Sequence, residues 1–548
     1  MKNCICLLFC HAALLLAQGD VYPNRWVYVS RSLQNDRHVE DIRGIARTAS
    51  EHGLNGMVLT GLDQLDRESP EYLKRLEEVK RISKQYSIEI IPIIYSAGYG
   101  GTVLRHNRNL AEGLPVKNAL FVVRGGAARL APDPPVAIVN SGLEKHEGNR
   151  VEGFQLQDRP GEASFIDTQV THQGKASLRF ENLAGGQARL MQEIAVTPYR
   201  SYRVSVWVKT EDLEPQGALR VQILGVDGRR LAPGEPQIPS RSDWRSLTLG
   251  FNSGNCDKVR VFAGVWSGKS GRFWLDDLQI EEAGLVNVLR RPGTPVRVQG
   301  EKTSEPYEEG RDFAPIADPT LTFRFDHDGP PIRILPQSRI REGERLRVSY
   351  YHGMAINRGQ VSVCMSEPEV YEIWRNQARA IHKNLAPRQY LLSMDEIRAG
   401  GSCEACKRRR MTMAQILGDC LTRQFKMIRE LNPAAEIWVW SDMLDPNHNA
   451  RGNYYLVDGD YTGSWNYIPK DFRIVCWYYE KRRESLRHFS SLGFKTLAGA
   501  YYDADTLDNP KGWLEALKET PGALGIMYTT WRNKYELLAG FGDLLRAP

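Results

Sequence analysis

The chain has 548 residues, of which 42% are hydrophobic and 25% charged, with a formal net charge of +6. That length exceeds what a single hydrophobic core serves, so two or three domains are expected in a folded globular protein. The small charge, whose longest basic run (KRRR, 407–410) precedes a helical pattern, argues against a nucleic-acid partner.

The opening stretch, MKNCICLLFCHAALLLAQGD, has one Lys, a short apolar core, and Ala17 and Gly19 at −3 and −1 to a cut before Asp20. This is the pattern of a cleaved secretory leader over 1–19. No later stretch approaches the ~18 apolar residues of a span, so no membrane partner is expected, and a secreted or periplasmic chain is. Of nine cysteines, Cys256, Cys364, Cys403, Cys406, Cys420 and Cys476 follow the leader. The CEAC at 403–406 is half of a zinc-ribbon pattern with no second CxxC, so two loop thiols or a local disulfide are expected there rather than a metal.

From residue 20 to 134, strand and helix patterns alternate. WVYVS (26–30) is followed by a helix with Val39, Ile42, Ile45 and Ala49 on one face; then come GMVLT (56–60), a helix through PEYLKRLEEVKRISKQYS, and IEIIPIIY (88–95). GYGG at 98–101 is a candidate active-site loop without phosphate-binding logic.

The texture then changes. ASLRFEN, YRVSVWVKT, ALRVQILG, WRSLTLGF, KVRVFAGV and GRFWLDDLQIEE alternate with period two between Gly and Pro turns, which predicts an antiparallel sandwich inserted over 135–287. Residues 288–345 are expected to be a return segment packed on the first domain, and LRVSYY (346–351) to lie in that crossover.

The alternation resumes with YLLSMDE (390–396), a helix over 413–431, EIWVWSD (436–442), RIVCWYY (473–479), TLAGAYY (496–502) and ALGIMYTTW (523–531). With the first block this makes eight apolar strands separated by helical stretches, the pattern of an α/β (β/α)8 barrel completed by 288–548. Active sites of such barrels sit at the carboxyl ends of the strands. Collecting the polar residues there gives Arg31, Asp395 and Glu396, Trp440 and Asp442, Trp477, Tyr501 to Asp503, and Tyr528 with Trp531. Carboxylates among aromatic rings suit a sugar, whose C–H faces stack while its hydroxyls take charged hydrogen bonds.

Asp395 and Glu396 are adjacent, too close to lie on opposite sides of one glycosidic bond, but able to act together on a substrate that supplies its own nucleophile. Here the chain resembles glycoside hydrolase family 20, the retaining β-N-acetylhexosaminidases, in which an Asp-Glu pair ends the fourth strand. The resemblance implies that Asp395 polarises the 2-acetamido group, whose carbonyl oxygen attacks C1 to give an oxazolinium, while Glu396 is acid and then base. It further implies a hydroxyl-binding Arg31, pocket residues Trp440, Trp477 and Trp531, an acetamide-binding Tyr501 and an orienting Asp503; Asp442 and Tyr528 are expected on the substrate from their places at the strand ends alone. The partner implied is a glycan with a terminal β-linked N-acetylated hexosamine. Leu392-Ser393-Met394 stands where the family has His-x-Gly-Gly, and Asn533 where it has an acid, so the chain is read as a divergent relative. Two alternatives stay open: a retaining glycosidase without acetamide assistance, with Glu396 as acid and Asp442 or Asp503 as nucleophile, and a non-catalytic sugar-binding protein.

The 135–287 segment resembles carbohydrate-binding modules of the family 4/9/16 type, on HQGKASLRF, YRVSVWVKT and FWLDDLQI. That resemblance carries a structural calcium at Asp276 or Asp277 as one alternative; no other cofactor is implied. The natural glycan, gluco or galacto preference and oligomeric state are left open.

Overall fold

The computed structural model describes residues 22–65, 67–234 and 238–546, so the expected leader lies outside the described residues. Eight strands close into a parallel barrel: β1 (Asn24–Val29), β2 (Gly56–Leu59), β3 (Glu89–Ile94), β4 (Gln389–Leu392), β5 (Glu436–Trp440), β6 (Arg473–Cys476), β7 (Lys495–Tyr501) and β8 (Ala523–Thr529). Closure is made by β1, in which Trp26 pairs with Gly56 on one side and Met527 on the other.

Side chains alternate across each strand, so every second residue faces the barrel axis. Trp26, Val58, Ile91, Leu391, Trp438, Val475, Leu497 and Met527 fill the interior, while Val27, Met57, Ile90, Leu392, Ile437, Ile474, Ala498 and Ile526 face the helices. Trp26 meets Trp438 edge to face at 4.9 Å, and the Trp438 indole N–H donates to Gln389 Oε1 at 2.9 Å. Truncating either ring to Ala would open a cavity costing about 3–5 kcal/mol.

Around the barrel lie α1 (Asp36–Glu51), α2 (Pro70–Tyr86), α3 (Pro368–Leu385), α4 (Met413–Leu431), α5 (Arg482–Ser491), α6 (Asp508–Lys518) and α7 (Leu538–Arg546). Their starts follow local chemistry: Asn35 accepts from His38 N, Ser69 from Tyr72 N ahead of Pro70, and Thr412 with Gln415 forms a capping box. Between β5 and β6 the expected helix is missing; the described residues there hold the 3-10 turns Asp442–Leu444 and Ser464–Asn466 and the short strand Leu456–Val457, paired with Ala399–Gly400.

Two five-stranded antiparallel sheets share a core as a sandwich. One orders Ser242–Asn252, Ser201–Glu214, Ser270–Glu282, Ser177–Phe180 and Ser164–Asp167, and the other Arg230–Gly234, Leu219–Gly225, Lys258–Val265, Ala188–Ala195 and Leu156–Gln157. The reading of 288–345 as a strap on the barrel needs correcting. Leu114–Arg124 and Arg345–His352 pair antiparallel at the centre of a six-stranded sheet with Arg297–Gly300, Pro306–Tyr307, Ala127–Leu130 and Ile332–Arg333. This sheet has its own core around Phe121, Val298, Phe313 and Val348, so the barrel is left before residue 114 rather than at 134. Among the described residues no helix is long and apolar enough to cross a membrane.

Candidate active site

The extended chain continues past β4 with Leu391 facing inward, so Ser393 and Asp395 follow the same parity toward the barrel mouth while Leu392 and Met394 face the helices. Ser393 Oγ donates to Asp395 Oδ1 at 2.9 Å. Strict alternation would turn Glu396 away. Instead Glu396 takes a left-handed backbone (φ 50°), and its N–H donates to Asp442 Oδ2 at 2.9 Å at the end of β5. A break in extended backbone thus ties the second of two neighbouring acids to the end of β5.

Gly98 makes this turn possible: a Cβ there would stand 2.1 Å from the Asp395 carbonyl oxygen and 2.9 Å from that of Glu396. The next residue, Tyr99, has its N–H on Ser96 Oγ at 2.8 Å and donates its hydroxyl to Glu396 Oε2. Arg398 pairs with the other oxygen, Glu396 Oε1, at 2.8 Å, and its guanidinium lies over the Tyr455 ring at 5.1 Å. Gln360 Nε2 donates to the Glu396 carbonyl at 2.8 Å and its own oxygen accepts from Arg398. Tyr99 and Gln360 also line a neighbouring cleft of about 800 Å3 that carries Arg105, Arg108 and Arg324.

Asp442 is fully buried. Besides Glu396 N, its Oδ2 accepts from Asn449 Nδ2 at 2.9 Å, and its Oδ1 lies 3.4 Å from the Trp477 indole N–H. Burial pushes the Asp442 carboxyl up to about 7, against these donors and with the Glu396 charge adding to the rise. Asp395 is likewise pushed up to about 7, first by burial and then by Asp442 and Glu396. Three carboxyl groups with one Arg therefore retain a proton near neutral pH. Burial, followed by Glu396 and Asp395, pushes the Tyr99 hydroxyl above its ordinary range, so it stays a donor.

Above the acids, Trp440, Trp477 and Trp531 meet one another with centroids 6.0 to 6.2 Å apart, and Tyr28 of β1 joins Trp531 at 5.5 Å. Trp531 is 47% exposed, leaving ring surface free at the mouth. His448 stacks on Tyr478 and meets Trp477 edge-on, both at 4.6 Å; burial lowers its pKa to about 4, so it is neutral.

Other sequence-derived candidates are placed elsewhere. Arg31 Nε donates to Asp41 of α1 at 2.9 Å and its Nη1 to the Ser30 carbonyl, so it ties β1 to α1 instead of reaching the acids. Met527 faces inward, so its neighbour Tyr528 faces outward, stacked on Tyr501 at 4.1 Å and packed against Phe541 of α7. Tyr501, Tyr502 and Asp503 all have positive φ, which breaks the strand's alternation. Tyr502 donates its hydroxyl to the Trp477 carbonyl at 2.5 Å. Asp503 accepts from Trp531 N at 2.9 Å, from Arg532 N at 3.1 Å and from the Thr530 hydroxyl. Its carboxylate is spent on positioning Trp531, and the Tyr-x-Asp role implied for this stretch is not what the geometry provides. Tyr28, Arg398, His448 and Asn449 lie outside the sequence-derived candidates, and Tyr99 lies within the GYGG loop. The signals that could have found them are the inward parity of Tyr28 with Trp26, the GYGG loop, and an Arg two residues beyond the acid pair.

In the sandwich, Asp276 Oδ2 accepts from His172 N at 2.8 Å and Gln173 N at 3.4 Å, its Oδ1 from Asp277 N, and Asp277 Oδ2 lies 2.6 Å from His172 Nδ1. These oxygens face N–H donors rather than framing an oxygen cage, so the residues present do not fit calcium.

No family model matches the chain, and no curated protein does. Among solved structures it is similar to one described as "CBM4 structure and function", at 14% identity and a TM-score of 0.21, covering 26% of this chain and 99% of that one. A CBM61 module solved with β-1,4-galactotriose gives 16% identity, a TM-score of 0.21 and coverages of 26% and 95%. An arabinose-bound GH51 α-L-arabinofuranosidase gives 10% identity and a TM-score of 0.22 over 72% of this chain and 71% of that one. Likeness at this level carries no argument about activity.

Proposed function

We propose that the chain is an exported glycoside hydrolase that removes a terminal β-linked 2-acetamido sugar with retention, using the substrate's own acetamide as nucleophile. The observation that carries this reading is the cluster of Asp395, Glu396 and Asp442 at the ends of β4 and β5, where the Glu396 N–H lies on Asp442 Oδ2 and the Trp477 indole N–H faces Asp442 Oδ1. Its acids are contiguous, which leaves no room for a sugar ring between an acid and an opposing carboxylate. Asp442 is buried behind the pair and Asp503 is capped by backbone N–H groups, so neither suits a nucleophile attacking C1.

Charge divides the work between Asp395 and Glu396. Asp395, held protonated to about pH 7, donates to the glycosidic oxygen. Glu396, ion-paired with Arg398, takes the acetamide N–H and turns its carbonyl oxygen onto C1. The C1–O bond breaks as the C1–O(acetamide) bond forms. Water then opens the oxazolinium at C1, losing its proton to the Asp395 carboxylate. This reverses the division of roles that the family resemblance implies.

Leaving-group dependence tests the assignment. Asp395→Asn is expected to retain hydrolysis of a nitrophenyl glycoside while losing about 10²–10⁴-fold on an alkyl glycoside, whose leaving oxygen needs a proton. Glu396→Gln is expected to depress both alike. The opposite pattern would restore the role of Glu396 as acid, and a native chain that turns over no aryl glycoside would be a sugar-binding protein.

A further inference from the structure

We propose that Glu112, Cys364, Cys403 and Cys406 form a closed structural site for a thiophilic divalent cation of the zinc type, which clamps the segment carrying the catalytic acids to the rest of the barrel mouth. All four residues are buried, and one ligand atom from each lies within 4.8 Å of the others. Cys364 Sγ stands 3.4 Å from Cys403 Sγ and 3.7 Å from Cys406 Sγ, and Cys406 Sγ stands 3.8 Å from Glu112 Oε2. A tetrahedral ion with metal–sulfur bonds of about 2.3 Å holds its sulfur ligands about 3.8 Å apart, close to this spacing. All these thiols are free in the structure.

The surroundings are built as a second layer of support. Glu112 uses Oε1 to accept from Ser402 N at 3.1 Å and Cys403 N at 3.2 Å, which leaves Oε2 turned to the sulfurs. Arg291, itself buried, lies 3.5 Å from Cys403 Sγ and pairs with Glu367 at 2.9 Å. One divalent cation with three thiolates and one carboxylate sums to −2, which the neighbouring guanidinium partly offsets. Without a cation, an acid and three thiols would share a dry pocket at high cost. Four protein ligands leave no open position, so the ion would be structural rather than catalytic.

The ligands also come from separate parts of the chain. Glu112 follows the turn Arg108–Leu110, Cys364 precedes α3, and Cys403 and Cys406 follow the Asp395-Glu396 turn by a few residues. The CEAC motif supplied only half the set in sequence; Cys364 and Glu112 arrive through the fold.

Metal analysis of the full chain, purified without chelator and again after reduction and dialysis against zinc, tests the site. About one zinc per chain is expected, falling to background in Cys406→Ser and Cys364→Ser. Should those variants fail to fold, cobalt substitution of the native chain still decides, because three thiolates in a tetrahedral site give an intense thiolate-to-cobalt charge-transfer band. A chain that takes up neither metal after reduction overturns the site. So does an as-purified intact mass lower by two hydrogens with Cys403 disulfide-bonded and no zinc regained on reduction.

Discussion

Replacing Asp442 with Asn is expected to change the sign of its effect on stability with pH. In the folded chain the Asp442 carboxyl titrates at about 7, against 3.8 for the exposed group. The folded state therefore binds this proton more tightly than the unfolded state does. Its ionisation penalty is absent near pH 4, grows as the pH rises to 7, and is full above that, at most about 4 kcal/mol for a shift of this size. Asn cannot ionise and escapes the penalty. It does, however, set an amide NH2 against donors on one side, the Trp477 indole if its oxygen keeps Glu396 N and Asn449 Nδ2, at a cost of about 1–3 kcal/mol. The variant should thus be less stable than the native chain by about 1–3 kcal/mol near pH 3.5 and more stable by a similar amount near pH 9. Urea unfolding followed by tryptophan fluorescence at both pH values measures this. An equal difference at the two pH values would refute the claim that buried charge dominates at Asp442. The same variant removes the largest charge acting on Asp395, so the basic limb of its pH–rate profile should move to lower pH.

Tyr99→Phe removes the hydroxyl that donates to Glu396, and kcat/KM should fall about 3- to 15-fold with little change in unfolding midpoint, read by steady-state kinetics and calorimetry. Trp531→Ala should raise KM while leaving kcat within about two-fold, since its exposed ring offers binding surface and touches no acid. Arg31→Ala should leave KM within about two-fold and cost about 0.2–1 kcal/mol, the value of a partly exposed pair with Asp41; a large rise in KM would instead place Arg31 on the sugar.

The barrel was legible because its strands are short apolar runs such as IEIIPIIY separated by helices with one apolar face, a signal that needs no long-range information. The six-stranded sheet was not, because Leu114–Arg124 finds its partner Arg345–His352 more than two hundred residues later. Local alternation marks a strand and leaves its neighbour unspecified. Within the site, the rule that function gathers at carboxyl strand ends brought Asp395, Glu396, Trp440, Asp442, Trp477 and Trp531 together. It failed where parity mattered: Tyr528 stands one residue beyond inward-facing Met527 and so packs against α7. At Tyr501 and Asp503 the positive φ values break the alternation that parity relies on, and Asp503 ends on the Trp531 and Arg532 backbone N–H groups. Tyr99 reaches Glu396 across almost three hundred residues of sequence, a contact that only folding makes, whereas Arg398 stands two residues from the acid it pairs with.

The claim at the centre of this account is that the sugar's own acetamide does the attacking. Comparing kcat/KM of the native chain on nitrophenyl 2-acetamido-2-deoxy-β-glycosides with that on the matching 2-hydroxy glycosides measures it directly. Turnover of the acetamido substrates is expected at least about 10²-fold above their counterparts, with competitive inhibition by a thiazoline mimic of the oxazolinium. Equal rates on both sets, together with indifference to the thiazoline, would contradict it.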